Sequence, residues 1–337
     1  MTTTVPGAGP DAAQVGPPVP FDTELAAALG VLREQMPETI TLDMLPMMRA
    51  AQAGVAELTN DEIALHGTFD VSEQAVPGPR GAPDVSLLIC RPVSATTAVP
   101  ALYFIHGGGM VVGTNRGQGM NSVLEAAAAL GMAVVSVEYR LAPEHPHPAP
   151  VEDCYAGLVW TVEHADELGI DPGRIVVSGA SAGGGLAAAT ALLARDRGGP
   201  ALIGQLLLCP MLDDRNNSVS ARQMTGLGIW DSGFNQVGWT ALLGDAQGGP
   251  EVSPYAAPAR ATDLSGLPPA FIDVGSAETF RDEAVDYASR IWQAGGVAEL
   301  HVWPGGFHGF VLLAPQAAIS QTAAAAVLPW LRRVVGI

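Results

Sequence analysis

Lysine is missing from the chain: the 16 basic residues among its 337 are all arginine. That absence excludes a Ser-Lys dyad, a Schiff-base lysine and the phosphate-gripping lysine of a nucleotide loop. Cysteine is scarce. Cys90, Cys154 and Cys209 are odd in number and far apart, which fits neither a disulfide framework nor a zinc site. A reduced, cytoplasmic setting is the expectation. Positive charge is also short, with 34 acidic residues giving a net charge of -18. Such a chain repels phosphate backbones and anionic membrane surfaces, so neither nucleic acid nor membrane is expected as a partner. No apolar run approaches the ~20 residues that cross a bilayer. The richest, Ala201 to Cys209, has the length of a strand. The N-terminus has no basic stretch followed by an apolar one, so a secretory signal is not expected. Residues 1–20, rich in Pro, Gly, Ala and Thr, read as a flexible tail. No His, Cys or Asp cluster has metal-ligand spacing.

What remains is an apolar chain, 48% hydrophobic and only 15% charged, with ample material for a large core. From about residue 60, strand-like and helix-like stretches alternate. Strands are expected at Ile63–Asp70, Val85–Arg91, Ala101–His106, Ala133–Glu138, Arg174–Ser178, Gln205–Cys209, Ala270–Val274 and Ala298–Trp303. Several are short, continuous apolar runs, as strands covered on both faces require. Helices are expected at Asn121–Leu130, Val151–Leu168, Gly184–Arg195, Arg281–Gln293 and Ala317–Val335. The alternation predicts an α/β fold with a mostly parallel sheet and helices on both faces. Two regions break it. Residues 21–55 read as two short helices with a Met-rich apolar face, and residues 213–250 carry Met224, Trp230, Phe234 and Trp239 between glycines. Together they are expected to form a cap over a core of residues 56–212 and 251–337, with those four side chains as pocket walls.

Two glycine-rich segments carry chemistry. In Ile175 to Gly185 an apolar strand runs into Gly179-Ala180-Ser181-Ala182-Gly183 and then an Ala-rich helix. A nucleophilic serine needs that sharp strand-to-helix turn, with no side chains crowding it and a helix N-terminus behind it. His106-Gly107-Gly108-Gly109 directly follows an apolar strand. Such glycines let backbone N–H groups approach a substrate oxygen and, with the N–H of Ala182, form an oxyanion hole.

With these two blocks stand Tyr139-Arg140-Leu141-Ala142-Pro143-Glu144 and His308-Gly309-Phe310. In combination they resemble the hormone-sensitive-lipase-like group of α/β hydrolases, bacterial esterase family IV, over about residues 60–337. The resemblance implies an eight-stranded sheet, a helical cap, no cofactor and hydrolysis of short-chain carboxylic esters. These folds run Ser, acid, His along the chain, which leaves His301 and His308 as candidate bases. His301 lies inside a strand and reads as structural, whereas His308 lies in a loop after it. His106 braces its loop. The family's catalytic Asp stands about four residues before an Asp-Glu pair. That position is Glu278 here, a departure that preserves the role, with Asp282 as the alternative. A second departure is Ala180, where the family usually has an acidic residue.

The expected function is thus a serine carboxylesterase with the triad Ser181, Glu278 and His308. Its oxyanion hole is Gly107, Gly108, Gly109 and Ala182, and its substrates are short- to medium-chain or aromatic esters such as dialkyl phthalates. The same triad could serve amides or acetylated small molecules. A non-catalytic receptor built on this fold would be expected to lack a triad residue. Relatives of this kind often pair through the last strand and helix, here about residues 297–335, so a homodimer is expected.

Overall fold

The computed structural model describes residues 15–53, 57–117 and 119–337. Most of the expected N-terminal tail lies outside them. Eight strands form one sheet: β1 Phe69–Val76, β2 Val85–Pro92, β3 Val99–Ile105, β4 Ala133–Glu138, β5 Ile170–Ala180, β6 Gly204–Leu208, β7 Ala270–Gly275 and β8 Ala298–Trp303. Their order is β1-β2-β4-β3-β5-β6-β7-β8. Strands β1 and β2 join antiparallel at one edge, and β4 through β8 run parallel.

The helices are α1 Thr23–Arg33, α2 Leu45–Ala53, α3 Asn60–Ile63, α4 Met120–Leu130, α5 Ala149–Glu163, α6 Ala165–Leu168, α7 Ala182–Asp196, α8 Val219–Gln223, α9 Ser232–Leu243, α10 Arg281–Gln293, α11 Phe310–Leu313 and α12 Ala318–Val335. The continuous apolar runs of the central strands are divided residue by residue between two cores. Ala101, Tyr103 and Ile105 of β3 join Val135 and Val137 of β4 and Ile175 and Val177 of β5, packed with residues of α5, α7 and α10. The intervening Leu102, Phe104, Val134 and Val176 point to the opposite face and pack with α4 and α12. Burying both faces is why no polar alternation shows in these strands.

Two expectations need correction. Ile63–Asp70 is not one strand: Ile63 ends α3, and β1 begins only at Phe69. Thr59 and Glu62 form a reciprocal capping box, with Thr59 N–H donating to Glu62 at 2.8 Å and Glu62 N–H donating to Thr59 Oγ1 at 3.3 Å. That box commits the segment to a helical turn. The expected helix Val151–Leu168 breaks at His164, whose ring bonds the Trp160 carbonyl at 2.9 Å and stacks on its indole.

Helix α1 and the 213–250 region meet each other. Arg33 of α1 donates to the carbonyls of Gly228 and Gly226, and Ile229 packs in a small core with Leu25 and Leu29. Phe307 and Phe310 belong to that same core, so α1 rests against the loop that carries His308. Residues 16 and 17 accept hydrogen bonds from Gln223.

Candidate active site

Ser181 stands between the end of β5 and the start of α7 with φ 58° and ψ −122°, a conformation that L-residues avoid. Its neighbours hold it there. Ser181 N–H donates to Leu208 O at 2.8 Å, and Ser181 O accepts from Met211 N at 3.0 Å and Gly185 N at 3.1 Å. The turn leaves no room for flanking side chains: a Cβ at Gly179 would stand 2.1 Å from Gly183 O, and one at Gly183 would stand 2.0 Å from Ile105 O. The serine therefore projects at the C-terminal end of the parallel strands, and β3, β7 and β8 deliver their following loops to the same end.

Three side chains meet there. His308 Nε2 lies 2.9 Å from Ser181 Oγ, and His308 Nδ1 lies 3.1 Å from Glu278 Oε1. The other carboxylate oxygen of Glu278 accepts from Gly275 N–H at 3.0 Å, which fixes the carboxylate at the end of β7. Glu278 is 1% exposed and His308 8%, whereas the serine remains partly open to solvent. Phe280 meets the imidazole edge-on at 5.0 Å. With Glu278 on Nδ1, the imidazole can keep its Nε2 lone pair toward the serine hydroxyl. Asp282 is not part of this chain. It accepts from Ser220 N–H and Arg281 Nε, both at 2.7 Å, and so faces α8. His301 bonds Glu299 within β8.

The glycine loop lies against the nucleophile: a Cβ at Gly107 would stand 3.4 Å from Ser181 Cβ. Its peptide planes are set by their carbonyls. His106 Nδ1 bonds Gly107 O at 2.8 Å, and Gly108 O accepts from Val111 and Val112 N–H, each at 3.0 Å. A trans peptide points its N–H opposite its C=O. The N–H groups of Gly108 and Gly109 therefore turn away from those partners and stay available. Ala182, as the first residue of α7, has an N–H with no intrahelical carbonyl to reach. Burial pushes the His106 imidazole down to about 4. It is thus neutral at ordinary pH, its ring stacked 4.1 Å from Tyr139, whose hydroxyl donates to His106 O at 2.9 Å.

Sequence reading missed several supports. Arg49 of α2 donates to Val111 O at 2.7 Å, to Ala142 O at 2.7 Å and in fork fashion to Glu144 at 2.8 and 2.9 Å. It braces the turn that closes the glycine loop. Asp273 on β7 is buried beside Glu278, accepting from Cys209 N–H and Trp303 Nε1, each at 3.3 Å. Burial, with the nearby Glu278 charge adding to it, pushes its carboxyl up to about 6. No local motif announces either residue, because their partners lie dozens of positions away.

The expected pocket walls separate on inspection. Trp239 has no accessible surface and belongs to the main core, and Met224 at 2% and Phe234 at 5% are also buried. Trp230 alone of the four keeps open surface, and it lies directly on Gly109. Among the described residues no three His, Cys, Asp or Glu side chains gather as metal ligands, and no helix is long and apolar enough to cross a membrane.

The family described as alpha/beta hydrolase fold matches residues 102–312. Among curated proteins, the carboxylic ester hydrolase LipN of Mycobacterium tuberculosis is 39% identical over 72% of this chain, a match spanning 65% of LipN, just under two thirds. The carboxylesterase NlhH of the same species is 38% identical over 73% of this chain and 78% of its own length. Among solved structures, a bacterial heroin esterase superposes with a TM-score of 0.83 at 43% identity, covering 94% of this chain and 98% of the other. An esterase from Pyrobaculum calidifontis gives a TM-score of 0.79 at 29% identity over 93% of this chain and 99% of the other. The chain belongs to the α/β-hydrolase family, in its hormone-sensitive-lipase-like group.

Proposed function

We propose that this protein is a serine carboxylesterase in which Ser181 is acylated and deacylated with His308 as general base and acid. The observation that carries the reading is the continuous contact from Glu278 to His308 to Ser181, at 3.1 and 2.9 Å. His308 takes the serine proton as Oγ attacks the ester carbonyl, then returns it to the departing alcohol. Glu278 holds the imidazole in the right tautomer and stabilises the imidazolium. The N–H groups of Gly108, Gly109 and Ala182 receive the oxyanion, with Gly107 shaping the loop. Each such donor is worth roughly 3 kcal/mol in the transition state. Water then repeats the cycle on the acyl-enzyme. No step calls on a metal or cofactor.

The relatives' names support esters as the substrate class, and an arylesterase of Saccharolobus solfataricus, 33% identical over 63% of this chain, supports aromatic esters among them. The segments 21–55 and 213–250 act as one cap, a reading supported by the bonds from Arg33 to the Gly226–Gly228 turn. The partly open β8 edge suits pairing of two copies, which sedimentation would check by mass. The three unpaired cysteines agree with a reduced cytoplasm.

The test is hydrolysis of p-nitrophenyl esters from acetate to palmitate by wild type and Ser181→Ala, with a serine-reactive phosphonate as label. Turnover and labelling of the wild type, both lost in a Ser181→Ala variant that melts normally, are expected. Retained activity in the variant would sink the assignment.

A further inference from the structure

Trp230 is held more tightly than an ordinary pocket side chain. Its indole Nε1 donates to Asn235 Oδ1 at 3.2 Å, Asn235 Nδ2 donates to Asn216 Oδ1 at 2.9 Å, and Asn216 Nδ2 donates to Ser232 O at 2.8 Å. Asn235 is fully buried, and an amide is retained inside a protein only when its bonds are made. The backbone is tied as well: Trp230 O accepts from Thr279 Oγ1 at 2.7 Å, and Thr279 directly follows Glu278. Phe234 meets the indole edge-on at 6.0 Å. The ring is thus fixed through its nitrogen, its carbonyl and one edge.

The fixed ring lies on the glycine loop. A Cβ at Gly109 would stand 2.4 Å from Trp230 Cη2, and one at Gly238 would stand 3.4 Å from Cζ2 and 3.5 Å from the terminal methyl of Met211. Met211 N–H in turn bonds Ser181 O at 3.0 Å. Gly109, Trp230, Gly238 and Met211 therefore pack together next to the nucleophile turn, and of the four only Trp230 keeps open surface. The leaving alcohol must sit within reach of His308 Nε2, which returns its proton. In the proposed mechanism the carbonyl oxygen is bound by the loop N–H groups, so the acyl chain is the arm left to meet the open face of Trp230.

We propose that Trp230 limits the length of the acyl group, selecting acetyl to butyryl esters, and that Asn235 and Asn216 serve to immobilise its indole as the stop. This rests on the esterase reading above. A stop that cannot swing aside discriminates by chain length, whereas a free indole would yield to longer chains. Gly238 belongs to the same device, because a side chain there would press the ring and the Gly109 carbonyl, 3.1 Å away.

The experiment measures kcat/KM for p-nitrophenyl acetate, butyrate, hexanoate and octanoate with wild type, Trp230→Ala, Trp230→Phe and Asn235→Ala. A parallel series of acetates of ethanol, phenol and naphthol varies the alcohol. Removing the stop is expected to raise the hexanoate-to-acetate ratio at least about tenfold in Trp230→Ala, the scale on which a pocket reads methylenes. Trp230→Phe should give a smaller rise, and so should Asn235→Ala, in which the indole stays but is untied. The alcohol series should keep its wild-type ranking. An equal loss at every acyl length would assign Trp230 a packing role and overturn the proposal, and so would a change confined to the alcohol series. If Trp230→Ala does not fold, Trp230→Phe and Asn235→Ala decide by the same ratio. Failure here leaves a wild type that still hydrolyses acetate through Ser181, whereas failure of the esterase reading leaves no Ser181-dependent turnover at all.

Discussion

The proposed triad acid is a glutamate, and its carboxylate is anchored at both oxygens. Glu278 spends one oxygen on His308 and the other on Gly275 N–H. Glu278→Gln keeps the size but removes the charge and presents an amide that can donate toward Nδ1. We expect kcat to fall by about 10³–10⁴-fold with the melting temperature little changed. Asp282→Asn should leave kcat near wild type, since that carboxylate serves Ser220 and Arg281. Steady-state kinetics on p-nitrophenyl acetate check the ranking, and the reverse order would move the acid. Sequence reading named Ser181 from its glycine turn, His308 from chain order and Glu278 from the family resemblance, and the structure brings these three side chains within 2.9 and 3.1 Å of one another in turn. Arg49, Asn235 and Thr279 were not legible. Each acts on a partner through space, and an arginine 62 positions before the carbonyl it supports leaves no trace in local pattern.

Among the elements, reading succeeded where burial dictates pattern. Strands β4 and β8 and helix α10 fall where expected, at Ala133–Glu138, Ala298–Trp303 and Arg281–Gln293. It failed at Ile63, where a capping box outweighed an apolar run, and at His164, where one helix ends and the short helix Ala165–Leu168 begins. The attachment of α2 is the element whose strength can be measured. Arg49 joins it to two backbone carbonyls and Glu144. Glu144 is about half exposed, so its ion pair contributes little. The two charge-assisted bonds to carbonyls matter more, at about 1.5–3 kcal/mol each net of the water bonds they replace. Arg49→Ala should lower the melting temperature by several degrees and reduce kcat more than it raises KM, because the Val111 turn holds Gly108 O. Arg49→Lys, with one point charge in place of the fork, should recover part of the melting temperature and little of kcat.

For the molecule as a whole, one half-buried acid makes a separable contribution to how stability follows pH. Glu138 ends β4 and accepts Asn115 N–H at 2.6 Å. Burial is the main cause that pushes its carboxyl up to about 7, and Glu57 and Glu73 add to it. Between its ordinary value near 4.5 and about 7, the folded protein binds the proton that the unfolded chain has released, so stability falls as pH rises through this window. Above it the full cost persists. Glu138→Gln, whose amide oxygen can still accept from Asn115, should therefore raise the melting temperature by a few degrees at pH 8 and change it little at pH 5. A gain of equal size at both pH values would show that charge is not the cause.

The sheet order carries a further consequence, for biosynthesis. Ser181 follows β5, Glu278 follows β7 and His308 follows β8, the outermost parallel strand. On the proposed mechanism, a nascent chain still short of residue 308 owns the nucleophile turn but no base, and is expected to be silent toward esters however well its first strands have assembled. The first Ser181-dependent turnover would then report that β8 and the loop after it have docked, with α12 still to follow along the chain.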